Sequence, residues 1–287
     1  MSRALAFALL AALAACSESH DVDPSRHNVL LLTVDTLRAD HVGAEALTPF
    51  LDELLESGTT FEHAVTPVPR TTPALASFLT GAYPHTTGVR GLVDRLAPNV
   101  PTLAQLARDK GYRTVAVVSN HVLEPERGLD RGFETYDHGG DSRGAEATTA
   151  EALRHIESID AAEPLFLWVH YIDPHVPYAP GERLARELDP GYDGRFATSF
   201  GSEEGSVGAH AYPEELGKVA SVYRNELDDA VNAHVRRLYA GDVRRTDDAI
   251  AELIRGLREQ RGDTWTMVFT ADHGESLGEH EENSHSL

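Results

Sequence analysis

The sequence predicts an α/β chain: a doubly wound, mostly parallel central sheet flanked by helices. Three observations carry that expectation. Asn28-Val-Leu-Leu-Leu-Thr-Val34 and Thr264-Trp-Thr-Met-Val-Phe-Thr270 are short β-branched and apolar runs, the kind that fill strands buried on both faces. Between them strand-like and helix-like segments alternate, the pattern of right-handed crossovers onto one sheet. Each run stops close to an acid, Asp35 or Asp272, and ligands of open α/β sheets sit beyond the carboxyl ends of the strands.

In chain order, Met1-Ser-Arg3 precedes twelve small or apolar residues, Ala4 to Ala15. One positive charge followed by so short a run predicts a secretory signal over 1–16 rather than a membrane span. Residues 17–26 are polar and read as a tether. Strands are expected at 29–34, 59–63, 114–119, 165–171 and 266–270, where β-branched and aromatic residues gather. Helices are expected at 48–56, 73–79, 100–109, 143–159 and 213–260, the last divided in two or broken near Gly241. Residues 177–208, rich in Gly, Pro and Ser, read as a surface excursion. With no repeat and no linker, 27–287 reads as one domain. The sequence stops at Leu287 soon after Asp272-His273 with no closing helix, so the sheet is expected to be C-terminally incomplete.

Acids number 46 against 25 Lys and Arg, a formal charge of -21. That excludes nucleic acid as a natural partner, because phosphate backbones need basic side chains. Most of these acids are expected on a solvated surface. The 41% hydrophobic content is enough for a core. Cys16 is the only cysteine, so no disulfide forms within the chain.

Asp35, Asp272 and His273 are expected to converge at one sheet edge. Two carboxylates and an imidazole suit a divalent ion of borderline softness, zinc or manganese. The alternative, that each acid merely ends its strand, fits Asp35 better than it fits Asp272-His273-Gly274. A second segment runs Pro67-Val-Pro-Arg-Thr71-Thr72-Pro73 and on to Gly81. Pro73 suits a first helical turn, with Thr71 or Thr72 at the N-cap and Gly81 as the stop. A hydroxyl there lies beside free N–H groups that bind oxyanions, and a metal would activate it as a nucleophile. In isolation the segment reads more readily as a plain capped helix.

Three stretches together resemble the sulfatase family of the alkaline phosphatase superfamily: Val34-Asp35-Thr36-Leu37-Arg38-Ala39-Asp40, Thr71-Thr-Pro-Ala-Leu-Ala-Ser-Phe-Leu-Thr-Gly81-Ala-Tyr-Pro-His-Thr-Thr-Gly88, and Thr270-Ala-Asp272-His273-Gly-Glu275. The similarity runs from about Asn28 to the chain end and implies an alkaline phosphatase-like fold. Sulfatases of the best-known type oxidise Cys or Ser in Cys-x-Pro-x-Arg to formylglycine. This chain has Thr71 there and Leu75 in place of the arginine, and Thr oxidation would give a ketone, so no formylglycine is expected. A threonine nucleophile looks like the phosphodiesterases, phosphonate hydrolases and phosphoethanolamine or glycerolphosphate transferases of the superfamily. Calcium sulfatases tend to carry paired aspartates after the first strand and Asp-Asn near the end. Asp35-Thr36 and Asp272-His273 favour zinc or manganese over calcium.

The same resemblance implies that Asp35, Thr71, Asp272 and His273 hold the metal. His175, in Asp173-Pro-His175-Val-Pro-Tyr178, is implied as a catalytic group on the substrate oxyanion. His170, His175 and His285 are implied at the substrate or a second metal. His170 is also placed to face the core of its strand. Leu13-Ala-Ala-Cys16 resembles a bacterial lipobox, implying cleavage before Cys16 and lipidation of its thiol; Ser17 leans toward outer-membrane delivery. An ordinary signal peptide is the alternative, and either way the chain is exported. The expected activity is metal-dependent hydrolysis of a small-molecule, glycan or lipid phosphate or sulfate ester, phosphoester preferred. The alternatives are a phosphoethanolamine- or glycerolphosphate-type transferase, or an inactive binding lipoprotein.

Overall fold

The computed structural model describes residues 27–43, 47–140, 143–194, 196–201, 228–279 and 283–285. Five strands, β1 (Asn28–Val34), β2 (Arg113–Val118), β3 (Thr135–His138), β4 (Leu165–Tyr171) and β5 (Trp265–Ala271), form one sheet in the order β3-β2-β4-β1-β5. Every neighbouring pair is parallel. In β4 every residue is buried, and in β1 only Val29 is not, as expected of strands covered on both faces.

Helices are α1 (Pro49–Ser57), α2 (Thr71–Thr80), α3 (Pro84–Thr87), α4 (Leu103–Asp109), α5 (Ala145–Glu157), α6 (Glu182–Leu188) and α7 (Asp229–Arg261). Alternation along each strand sends residues to two cores. Leu30, Leu32, Val34, Leu167 and Val169 pack with Ile156 of α5 and Leu253 and Leu257 of α7. Leu31, Phe166 and Trp168 pack with Leu75 and Leu79 of α2 and Ala104 of α4. Each fully buried leucine contributes roughly 1.5–3 kcal/mol. The helix starts are locally encoded: Thr102 and Gln105 form a capping box on α4, and Asp228 caps α7 through the Val231 N–H. Two short antiparallel strands, β6 (Ser276–Leu277) and β7 (Asn283–Ser284), follow β5.

Register positions the site. Val34 pairs with Tyr171 on one side and Ala271 on the other. Strands β4, β1 and β5 therefore end flush, and Asp35 and Asp272 emerge side by side; β5, expected to be buried on both faces, lies at the edge of the described sheet and is only partly buried.

Several expectations are corrected. Residues 59–63 form no strand; they lie exposed, with Phe61 at 81%, because no strand edge pairs with them among the described residues. The edge strand β3 was not expected, since Thr135-Tyr-Asp-His138 has no apolar run. Helix α7 passes through Gly241 unbroken. A Cβ there would meet Pro180 Cβ at 2.6 Å, so the glycine permits close packing rather than marking a break. The part of that expected helix before 228 lies outside the described residues. The segment after β4 is more than a surface excursion: it contains α6, and Tyr178 and Phe200 are buried and stacked at 5.7 Å.

Candidate active site

Helix α2 starts at Thr71 itself, with Arg70 at the N-cap and no side-chain cap bond. This corrects the expectation of a capping threonine and separates the two candidates. Thr72 Oγ1 donates to the carbonyls of Leu92 and Val122, at 2.8 and 3.2 Å. Thr71 Oγ1 instead turns to the strand ends. It donates to Asp35 Oδ2 at 3.4 Å and lies 3.4 Å from His273 Nε2. Thr71, Asp35, Asp272 and His273 are all buried.

Asp272 Oδ1 accepts from the N–H groups of Thr36 and His273, at 3.1 and 2.8 Å. Thr36 has a φ of 55°, and its carbonyl accepts from Tyr239 of α7 at 2.8 Å. Asp35 Oδ2 accepts from Asn120 Nδ2 at 2.6 Å. The remaining oxygens, Asp35 Oδ1 and Asp272 Oδ2, are buried without a hydrogen-bond partner. His273 Nδ1 faces the Gly274 carbonyl at 2.9 Å; a carbonyl only accepts, so Nδ1 carries the proton and Nε2 offers a lone pair. That nitrogen lies 3.4 Å from Asp272 Oδ2 and 3.7 Å from Asp35 Oδ1. One ligand atom from each of Asp35, Asp272 and His273 falls within 4.8 Å of the others. Orphaned buried carboxylate oxygens facing a bare imidazole nitrogen fit a divalent cation, since each is costly without a partner.

The electrostatics point the same way. Burial alone would raise Asp35, but contact with His170 and the charges of His175 and His273 outweigh it and hold the carboxyl well below the usual range. Asp272 is raised, by burial first and then by the charge of Asp35. Two carboxylates in one dry site cannot both ionise cheaply, and a cation between them removes the conflict.

The other histidines gather at the same edge. The His285 ring lies 4.4 Å from that of His273 and 5.1 Å from that of His175. His175 Nδ1 donates to the Val176 carbonyl at 2.6 Å. His285 Nδ1 lies 3.1 Å from Glu275 Oε1; burial alone would lower its pKa, but Glu275 outweighs this and raises it. His170 is fully buried, its Nε2 3.6 Å from Asp35 Oδ2. Cys16 lies outside the described residues. Asn120, Thr36 and Glu275 were not expected at the site. Asn120 follows the end of a buried strand, as the acids do, and that rule applied to amides would have found it.

Residues 27–287 match the Sulfatase family. This chain belongs to the sulfatase family. Members of the family are ester hydrolases that typically use a divalent metal. The chain is 26% identical over 305 residues to the uncharacterized sulfatase YidJ of Escherichia coli K12, covering 89% of this chain and 58% of that protein. It thus spans little more than half of YidJ. Among solved structures, BT4656 in complex with its substrate D-glucosamine-2-N,6-O-disulfate is similar with a TM-score of 0.69 at 18% identity, covering 90% of this chain and 68% of that one. The phosphonate monoester hydrolase of Agrobacterium radiobacter is similar with a TM-score of 0.62 at 18% identity, covering 89% and 64%. Both likenesses are likenesses of fold.

Proposed function

We propose that this sulfatase-family chain is the catalytic unit of a metal-dependent ester hydrolase with Thr71 as nucleophile and phosphoesters as preferred substrates. The observation that carries the reading is the Thr71 hydroxyl at the start of α2, 3.4 Å from both Asp35 Oδ2 and His273 Nε2. Asp35, Asp272, His273 and Thr71 would hold the ion. Two carboxylates with an imidazole nitrogen suit zinc or manganese, whereas calcium takes six to eight oxygens. When bound, the ion lowers the hydroxyl pKa and offsets negative charge on the transferred group.

The chain's own residues supply the rest. The N–H groups of Thr71 and Thr72 have no acceptor within the helix and suit anionic substrate oxygens. Thr71 Oγ1 attacks phosphorus in line, its proton passing to water. The bond to the leaving alcohol breaks, and protonated His175 gives that oxygen a proton. Water then attacks the phosphothreonine and yields a proton to His175; the bond to Thr71 breaks, Oγ1 regains a proton and phosphate departs. His285 helps neutralise the substrate. Sulfate esters are the poorer substrates because threonine cannot become formylglycine. Turnover of aryl phosphodiesters, phosphomonoesters and sulfate esters, measured side by side in wild type and Thr71→Ala, tests the reading. Undiminished turnover in the variant refutes it.

Export, and lipid attachment at Cys16 with the protein held to a bacterial outer membrane and facing periplasm or surface, belong to the same proposal. They rest on the sequence of residues 4–17. Small-molecule, glycan or lipid esters are the substrate class. Radiolabelled palmitate entering wild type but not Cys16→Ser in a bacterial host is the expected result.

A further inference from the structure

Three fully buried residues beside Asp35 form a hydrogen-bond chain whose direction is set at one end. Trp168 and His170 lie two apart on β4 and so share a face, and Thr33 of β1 is the register partner of His170. Trp168 Nε1 donates to Thr33 Oγ1 at 2.9 Å, and Thr33 Oγ1 lies 2.8 Å from His170 Nδ1. An indole N–H can only donate. Thr33 must therefore accept there, and its own proton has His170 Nδ1 as its acceptor. The reverse order would leave the threonine proton without a partner in a site where all three residues are 0% exposed, which buried polar groups rarely tolerate. It would also turn the His170 Nε2 lone pair toward the Asp35 carboxylate.

With Nδ1 accepting, neutral His170 carries its proton on Nε2. This is the opposite tautomer from His273 and His175, whose Nδ1 atoms face carbonyls at 2.9 and 2.6 Å. The Nε2–H of His170, which has no hydrogen-bond partner, faces Asp35 Oδ2 at 3.6 Å, a charge–dipole contact longer than a hydrogen bond, and Asn120 Nδ2 donates to the same oxygen at 2.6 Å. Both groups thus favour Oδ2, while Oδ1 is left without a hydrogen-bond partner, 3.7 Å from His273 Nε2.

We infer that His170, set by Trp168 and Thr33, is not a metal or substrate ligand but a positioning residue that, with Asn120, holds Asp35 by Oδ2 and turns Oδ1 to the ion. The inference deepens the metal reading above and rests on it. The carboxylate would otherwise be free to rotate between equivalent oxygens in the dry site. Held this way it presents one oxygen, as second contacts on a ligand usually ensure.

The test is a long-range ¹⁵N–¹H correlation spectrum of the full chain, histidine-labelled, first metal-stripped and then with zinc added. The His170 signal is assigned by its loss in His170→Gln, or by through-space contact with the Trp168 indole proton where that variant does not fold. His170 is expected to hold its proton on Nε2 in both samples, while the His273 signals move on adding zinc. A proton on Nδ1 of His170, or loss of the Nε2 proton with zinc, overturns the inference. If zinc moves no histidine signal, the metal reading falls, and the His170 tautomer still decides the relay. Zinc affinity gives a second readout. His170→Ala should weaken it about 10-fold or more, and His170→Gln, whose amide nitrogen replaces the Nε2 donor, should restore most of it. Equal loss in both variants overturns the inference.

Discussion

The backbone N–H of Thr36 donates to Asp272 Oδ1 at 3.1 Å, joining the ends of β1 and β5 across 236 residues of sequence. The bond requires Thr36 to adopt a φ of 55°, the left-handed region that a β-branched residue enters only at a cost. Thr36→Gly removes about 1–2 kcal/mol of that cost and adds roughly 0.5–1 kcal/mol of glycine chain entropy, keeping the N–H. Its melting temperature should equal or slightly exceed that of wild type, with zinc binding intact. Thr36→Pro, with no N–H and a fixed negative φ, should bind no zinc. A Thr36→Gly protein that melts well below wild type would show that the side chain, not the backbone, matters there.

Thr71 and Thr72 should separate cleanly. Thr71→Ala should lose turnover with little change in stability, because Thr71 caps nothing. Thr71→Ser should keep part of the activity. Thr72→Ala should retain turnover but lose roughly 1 kcal/mol or more, since its hydroxyl serves two carbonyls. Kinetics paired with denaturant unfolding check both halves. An inactive but stable Thr72→Ala would move the nucleophile by one residue.

Removing one buried charge should trade metal for fold. Asp272→Asn keeps an oxygen for the Thr36 and His273 N–H groups and ends the repulsion with Asp35. Metal-stripped Asp272→Asn should therefore be at least as stable as metal-stripped wild type. Zinc at 100 times its Kd should stabilise wild type by about 2.7 kcal/mol and leave the variant unchanged. Thermal melts with elemental analysis are the measurement; an equal shift in both proteins would remove Asp272 from the ligand set.

Away from the site, Asp242 of α7 is 1% exposed and its Oδ2 accepts from the Ala179 N–H at 2.7 Å. Burial first, then the charge of Asp173, raises its pKa well above the ordinary value; Arg245 opposes this and Glu146 adds to it. In the folded protein Asp242 therefore holds its proton to a higher pH than in the unfolded chain. Stability from this group is present at low pH and falls as pH rises from the ordinary carboxylate range toward the folded pKa. Asp242→Asn, neutral at every pH, should stabilise the protein more at pH 8 than at pH 5. Denaturant unfolding across that range would show the difference growing with pH; a constant difference would contradict it.

Strands β1 and β4 were legible because burial on two faces leaves continuous apolar runs; β5 was legible from the same kind of run, although it lies at the sheet edge and no residue of it is fully buried. Strand β3 was not, because an edge strand needs no such run: Asp137 is spent on ion pairs with Arg143 and His155. Residues 59–63 have strand composition, but composition does not supply a partner. Asp35, Asp272 and His273 could be found because each follows a strand end. The Thr33–His170 pairing could not, because it depends on the register between β1 and β4, which no periodicity within either strand encodes. Gly241 misled for a related reason: its meaning lies in Pro180, far off in sequence and close in space.

The flush ends of β1 and β5 also set a clock. Asp35 is made early and Asp272 late, and the strands that carry them become neighbours only when β5 docks. Closing so long a loop slows folding more than it weakens the final fold. Until then Thr71 has Asp35 before it but neither Asp272 nor His273. The cluster of side chains at this sheet edge is thus completed by the last strand of the sheet in sequence.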